Sequence, residues 1–284
     1  MKRKKGGLVM EKNSITKKQH YIPQVYLKGF QVEKGLIYQY KKEMKDNSDR
    51  KSVPIKSICQ KKCFYEIQDQ QGQYICPNHL EHYFGWFENH FNDYVSKLES
   101  KAFDPDNLKT RCFLDKEEKK FWITYISIQF LRLPGTLKIA EECAKEIFQE
   151  KANKVWTKNI ARIACLPFWE EEDIGENWYG FYEKFVEPMM SMHIGIGADA
   201  SGKLITSDNP VCIFSDRIIS EEYKEIIFPI SSKLCLYMVG GEEKKRCGKN
   251  FLFFINEKNR EKICDRIKIK AKQYLYSGYE LSDI

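Results

Sequence analysis

The sequence predicts an α+β fold: a helical middle segment packed on a mixed, mostly antiparallel C-terminal sheet. Between Pro77 and Met190, apolar residues recur at the three- and four-residue spacing of helices. After Met192 the texture changes to short apolar strings between turn residues, the mark of strands. No internal repeat, coiled-coil heptad or low-complexity linker interrupts this order. Helices and strands are thus segregated along the chain, which favours α+β over a doubly wound fold.

Each element has a local reason. Pro23 suits the first turn of a short helix to Lys28, which Gly29 can close. Leu36 to Tyr40 alternates like a strand, and the charged stretch Lys41 to Lys51 reads as a loop. Phe64 to Ile67 and Gln73 to Cys76 flank a Gly-containing turn and predict a hairpin. From Pro77 to about Ser100, Leu80, Phe84, Phe87, Phe91, Tyr94, Val95 and Leu98 share a helical stripe. Asp115, with Glu118 three residues on, predicts a capping box for a helix ending near Pro134. Further helices are expected from Thr136 to Ala164 and from Glu176 to Met190. Strands are expected at His193–Ala198, Leu204–Thr206, Pro210–Phe214, Ile226–Ile230, Leu234–Val239 and Phe251–Ile255. Asn256 can cap a helix to about Ala271, and Tyr274–Tyr276 returns to the sheet.

The chain of 284 residues is 42% hydrophobic and 14% aromatic, which excludes global disorder. No apolar run approaches the roughly 20 residues that span a bilayer. The longest, Phe121 to Leu133, is interrupted by Thr124, Ser127, Gln129 and Arg132. The beginning of the chain lacks the apolar stretch of a signal peptide, so the sequence reads as cytoplasmic with no membrane association. Ten cysteines in such a chain imply reduced thiols rather than a disulfide framework. Net charge is +7, of which Lys2, Arg3, Lys4 and Lys5 supply four. The remaining +3 does not argue for nucleic acid. Gly6-Gly7 can be encoded by a ribosome-binding sequence about seven nucleotides before the Met10 codon, so translation is expected to start at Met10. Residues 1–15 are therefore set aside as an extension, and residues 16–284 are read as a single α+β domain.

The common chemical motifs are missing. The chain has no GxxxxGK[ST], no HExxH, no GxSxG and no dinucleotide fingerprint. Cys59-x3-Cys63-x12-Cys76-x2-His79-x2-His82 has ligand types and spacings near those of small zinc modules. Against zinc, Cys63 and Cys76 fit strand-core positions and His79 fits an exposed helix start. Pro105-Asp106 with Glu118-x-Lys120 loosely matches a nuclease spacing, but its second half lies in a helix start rather than a strand. Glu88-Asn89-His90 lacks the hairpin and second histidine of a His-Asn-His nuclease.

Two strings put polar residues into apolar surroundings, where an imidazole, carboxylate or amide needs a partner. They are His20-Tyr21-Ile22-Pro23-Gln24-x-Tyr26-Leu27-x-x-Phe30 and Thr206-Ser207-Asp208-Asn209-Pro210-Val211. Both resemble signatures of a bacterial family, domain of unknown function 4238. Phe64-Tyr65, Glu81 with Glu88, Gln129-x-x-Arg132-x-Pro134 and Phe228-Pro229-Ile230-Ser231 resemble further family strings. The resemblance spans about Thr16 to Ser277 and implies no activity. The cysteine and histidine richness between Cys59 and His82 departs from it, which speaks against zinc as a family feature.

Function must therefore be argued from the residues. Glu81 and Glu88 share a helix face, and Gln129 and Arg132 near the end of the next helix are placed to face them. The leading expectation is a hydrolase acting on a phosphoester or nucleic-acid substrate, with or without Mg2+. His20 is its base, Glu88 and Asp208 orient that base or bind metal, and Arg132 holds charge. Gln24, Glu81, Gln129, Ser207 and Asn209 are expected to contact substrate. The alternative is a non-catalytic binding or sensor module of a bacterial defence or stress system. There His20 bonds backbone, Asp208-Asn209-Pro210 is an Asx turn, and Arg132 pairs with Glu81 or Glu88 inside the core. No aromatic–basic stripe is present to carry nucleic-acid binding.

Overall fold

The computed structural model describes residues 15–43, 50–104, 113–149, 153–164, 186–215 and 223–281. Strand β1 (Lys18–His20) leads into a one-turn helix α1 (Gln24–Leu27) that runs on as a 3-10 turn to Phe30. Strands β2 (Leu36–Lys41), β3 (Lys51–Pro54), β4 (Gln60–Lys62), β5 (Ile67–Gln68) and β6 (Tyr74–Ile75) follow. The helical middle comprises α2 (His79–Ala102), α3 (Lys116–Leu131), α4 (Pro134–Phe148), α5 (Lys154–Ala164) and the short α6 (Glu187–Met190). The last part holds β7 (His193–Ala198), β8 (Thr206–Ser207), β9 (Cys212–Phe214), β10 (Glu225–Pro229), β11 (Leu234–Val239), β12 (Asn250–Phe254), α7 (Glu257–Lys270) and β13 (Tyr274–Ser277). The fold is α+β.

The main sheet has the order β12-β7-β11-β10-β9, antiparallel except for the parallel pair β12 and β7. Alternation divides its two faces. Ile194, Ile196, Phe228, Leu236 and Met238 point into the larger core, which they share with Phe91 of α2 and Trp122, Tyr125 and Ile126 of α3. Cys212, Ile227 and Cys235 point the other way, onto Ile263 and Ile267 of α7. The buried aromatics interlock: the Tyr125 ring lies 4.7 Å from Phe91, and Tyr26 stacks 5.2 Å from Phe228.

A second, antiparallel sheet of order β3-β2-β13-β8 joins the two ends of the chain. The chain leaves it at Ser207 and enters the main sheet at Cys212, so residues 208–211 form the corner between sheets. The pairs β1–β4 and β5–β6 complete the first third.

The capping box at Asp115 is formed: its side chain accepts from the Glu118 N–H at 2.8 Å, and Glu118 answers from the Asp115 N–H at 2.9 Å. Asn256 caps α7 as expected. Several expectations are corrected. Gly29 does not close α1, because the 3-10 turn carries on through it. Its role is close approach: a Cβ there would fall 3.2 Å from the Ser231 Cβ, and its carbonyl accepts from the Ser232 N–H at 2.9 Å. The expected helix from Thr136 to Ala164 is two helices, α4 and α5, packed on each other with the Phe148 and Trp156 rings 4.3 Å apart. Strands β1, β3 and β4 were not foreseen. Their sequences, such as Lys18-Gln19-His20 and Gln60-Lys61-Lys62, show no alternation of apolar residues and form by pairing with distant chain. The expected helix from Glu176 lies outside the described residues up to 185, as do Pro105-Asp106 and residues 1–14. Among the described residues, no helix is long and apolar enough to cross a membrane.

Candidate functional site

Two side chains at the end of α3 hold the beginning of the chain in place. Gln129 and Arg132 are three residues apart, hence on one helix face. Gln129 Nε2 donates to the Tyr21 carbonyl at 3.0 Å, and Arg132 Nη2 donates to the neighbouring His20 carbonyl. Arg132 Nη1 pairs with Glu88 Oε1 of α2 at 2.7 Å. The Tyr65 hydroxyl donates to the Arg132 carbonyl at 2.9 Å, which satisfies an orphan acceptor at the helix end. The guanidinium carbon stands 4.2 Å from the centre of the Phe84 ring, a cation–π contact. The arginine side chain is only 3% exposed, so burial makes these partners obligatory.

Around this pair lie polar atoms that are buried and lack a hydrogen-bond partner. They are His20 Nε2, Glu81 Oε1, Gln129 Oε1 and the Tyr125 hydroxyl. Such atoms are rare in folded proteins and indicate a place for water or a ligand. His20, Glu81 and Tyr125 all interact electrostatically with both Arg132 and Glu88. Burial lowers the His20 pKa below the usual histidine value, while a hydrogen bond to the Lys56 backbone and the Glu88 charge act against that fall. Burial pushes the Glu81 carboxyl up to about 7, with Arg132 opposing and Glu88 and Glu66 assisting. His20 and Glu81 are half-buried and the Glu88 side chain is 29% exposed, so solvent reaches the cluster.

A buried polar brace fixes the start of α2 and with it both glutamates. Gln19 is fully buried; its Nε2 donates to Glu66 Oε1 at 2.6 Å and its Oε1 accepts from the Tyr65 N–H at 2.6 Å. Glu66 Oε2 accepts from the N–H of Asn78, the cap residue of α2, at 3.1 Å. Sequence reasoning missed Gln19, Glu66 and Tyr125 as parts of the site. Gln19 beside His20 offered a signal, since an amide in a string that leads into Ile22 and Pro23 needs partners. Tyr125 offered none, because it sits in a continuous apolar helix.

The structure spends the late string differently from the expected roles. Asp208 Oδ1 accepts from the Lys272 N–H at 2.8 Å, and Oδ2 accepts from the N–H groups of Gln273 at 2.8 Å and Tyr274 at 3.2 Å. Both oxygens are thus occupied by the turn between α7 and β13, which leaves Asp208 poorly suited to orient His20 or to ligate a metal. Its charge acts on a separate group, Tyr21, Cys59 and Tyr276. Asn209 Nδ2 donates to the Lys270 carbonyl at 2.8 Å and so closes the end of α7. Ser207 Oγ is buried and accepts from the Asn209 N–H at 3.2 Å, without a base beside it in its hydrogen bonds. Gln24 opens α1, half-buried. The structure therefore gathers His20, Glu81, Glu88, Gln129 and Arg132, and sends Ser207, Asp208 and Asn209 to the corner between the sheets.

The residues of the cysteine and histidine spacing lie in different surroundings. Cys59 is buried with its thiol on the Tyr276 hydroxyl at 3.3 Å, Cys63 is half-buried, and Cys76 and His82 are exposed. Burial pushes the Cys59 thiol up to about 12, so it is protonated. Among the described residues, no three His, Cys, Asp or Glu side chains are grouped to hold a metal ion.

No curated protein and no solved structure matches the chain. One family model, described as a protein of unknown function (DUF4238), matches residues 18–280, a span that holds both polar strings and every residue of the cluster. The chain belongs to the DUF4238 family.

Proposed function

We propose that the chain is a hydrolase working by general acid–base catalysis, with His20 as base and Glu81 as acid. One observation carries this reading. Two titratable side chains around the same Arg132–Glu88 pair have proton affinities displaced in opposite directions, His20 downward and Glu81 up to about 7. Near neutral pH the imidazole is then free to take a proton from water while Glu81 still holds one to give to the leaving group. The hydroxide equivalent adds to the substrate centre, the leaving group departs with the Glu81 proton, and water restores both groups.

Charge balance bears on the substrate. Arg132 is already neutralised by Glu88. An uncharged acyl centre suits that balance better than a phosphoester or nucleic acid, which needs Glu88 to release Arg132 to the phosphate. The described cysteines are all free, which supports a reducing compartment, the cytoplasm, as the place of work.

A second reading has its own observation. Arg132, Gln129, Asp208 and Asn209 all spend side-chain donors or acceptors on backbone groups, as in a non-catalytic binding or sensor module. The two readings separate in one assay. Wild type, His20→Gln and Glu81→Gln are tested on 4-nitrophenyl esters, an anilide and bis(4-nitrophenyl) phosphate, with Mg2+ or with chelator. The hydrolase reading expects turnover of one class, a bell-shaped pH profile, and a loss of about 100-fold or more in each variant while it remains folded. Turnover that survives both substitutions, or none at all from folded wild type, favours the binding module.

A further inference from the structure

The face of the main sheet that α7 covers is only partly filled. Beside the Ile263 and Ile267 contacts lies a cavity of about 950 Å³ between the sheet and α7. That size is in the range of small-molecule sites. It is remote in the fold from the His20 cluster, which belongs to the opposite face with α2 and α3.

Its wall is built by a sequence device. Strand β7 reads His193-Ile194-Gly195-Ile196-Gly197-Ala198, with both glycines on the cavity face. A Cβ at Gly195 would fall 2.4 Å from the Phe251 ring, and one at Gly197 would fall 2.8 Å from the Phe253 ring. Two missing side chains thus let two phenyl rings lie across the neighbouring strand. Tyr237 meets Phe253 edge-on at 6.1 Å, so three aromatic rings form one continuous wall.

The opposite side carries charges of both signs, Lys224, Lys262 and Arg266 beside Glu225, Glu243 and Asp265. Arg266 of α7 lies 4.7 Å over the Phe214 ring and donates through Nη1 to Glu225, whose other oxygen accepts from the Tyr237 hydroxyl. Only one guanidinium nitrogen appears in that pair, and the arginine side chain is 41% exposed. Lys262, one turn earlier on α7, lines the same cavity and is exposed. Arginine and lysine placed together at the mouth of an aromatic slot match a flat ring bearing an acidic group.

We propose that this cavity is a second binding site, for a planar aromatic ligand carrying a phosphate or carboxylate. The ring lies on Phe251, Phe253 and Tyr237, and the anionic group meets Arg266 and Lys262. Calorimetric titration with AMP and with 2-naphthoate distinguishes the two sources of that chemistry, with adenosine and inorganic phosphate as controls. At least one of the two acids is expected to bind saturably, with each control about tenfold weaker or more, because ring and charge are both needed. Lys262→Gln, at an exposed position that leaves folding intact, and Arg266→Gln are expected to weaken the acid and leave adenosine unchanged. Phe253→Leu is expected to weaken every ring-bearing probe. Absence of binding by both acids, or binding that none of the three substitutions alters, overturns the proposal.

Discussion

Arg132 grips His20 by its backbone carbonyl and not by its imidazole. The same guanidinium pairs with Glu88, and Gln129 one turn earlier takes the next carbonyl, that of Tyr21. The end of α3 therefore sets the height and direction of the His20-Tyr21 peptide, while the imidazole bonds the Lys56 backbone and keeps Nε2 without a partner.

Arg132→Met tests that grip. It leaves the His20 carbonyl and the Glu88 carboxylate without their donor, and breaking a buried pair from one side costs about 3–5 kcal/mol. Glu88→Gln is expected to cost less, because the Glu88 side chain retains 29% exposure and water can replace part of the interaction. Urea unfolding of both variants measures this. Equal losses would mean that the pairing with Glu88, rather than the hold on the backbone, carries the stability.

Tyr26 ties three distant parts of the chain. Its hydroxyl shares a 2.6 Å hydrogen bond with Thr206 Oγ1 and donates to the Pro229 carbonyl at 2.8 Å, all in the buried interior. Tyr26→Phe is expected to destabilise by about 1–3 kcal/mol, since it strands a buried carbonyl and a buried hydroxyl. Thr206→Val is expected to cost less, and the double variant less than the sum of the two. Strict additivity in the unfolding cycle would contradict the shared bond.

Asp208 anchors the turn from α7 into β13. Asp208→Ala is expected to speed hydrogen exchange at the Lys272, Gln273 and Tyr274 amides, which lose their acceptor, and to cost about 1–3 kcal/mol. Exchange at these amides unchanged from wild type would show that the carboxylate is dispensable there.

Stability should respond to pH in two opposed ways. Glu81 titrates near 7 in the folded chain and at its ordinary 4.5 when unfolded. The unfolded state therefore loses that proton first, and this contribution, full below about 4.5, falls as pH rises to about 7. His20 has a folded pKa below its ordinary 6.5, so the unfolded state binds a proton first as pH drops. Its contribution is full above 6.5 and declines on acidification. Melting temperature against pH should thus gain a positive slope between about 4.5 and 7 in Glu81→Gln relative to wild type, and a negative one below 6.5 in His20→Gln. Curves that stay parallel to wild type would mean that neither group is perturbed.

Much of the fold was legible where local signals agreed. The stripe from Leu80 to Leu98 gave α2, the Asp115 and Glu118 pair marked the start of α3, and Asn256 marked α7. The short apolar strings between turns after Met192 marked the main sheet, although Leu204 and Ile205 precede the strand they were expected to form. What was not legible depends on partners far away in sequence. Lys18-Gln19-His20 becomes a strand only because residues 60–62 pair with it. At the site, helical spacing placed Glu88 opposite Arg132, but spacing cannot show that Asp208 spends its oxygens on amides more than sixty residues later. Nor can it show that Gly195 and Gly197 make room for two phenyl rings from another strand.

The central claim is that burial beside the Arg132–Glu88 pair raises the Glu81 pKa to about 7, so that near neutral pH it still holds a proton for use as an acid. Its most direct test is carboxyl carbon-13 NMR of glutamate-labelled protein, with Glu81→Gln to assign the resonance. The account predicts that the Glu81 resonance titrates near 7. A midpoint near the ordinary 4.5 would show a solvated carboxylate and remove the acid from the proposed chemistry.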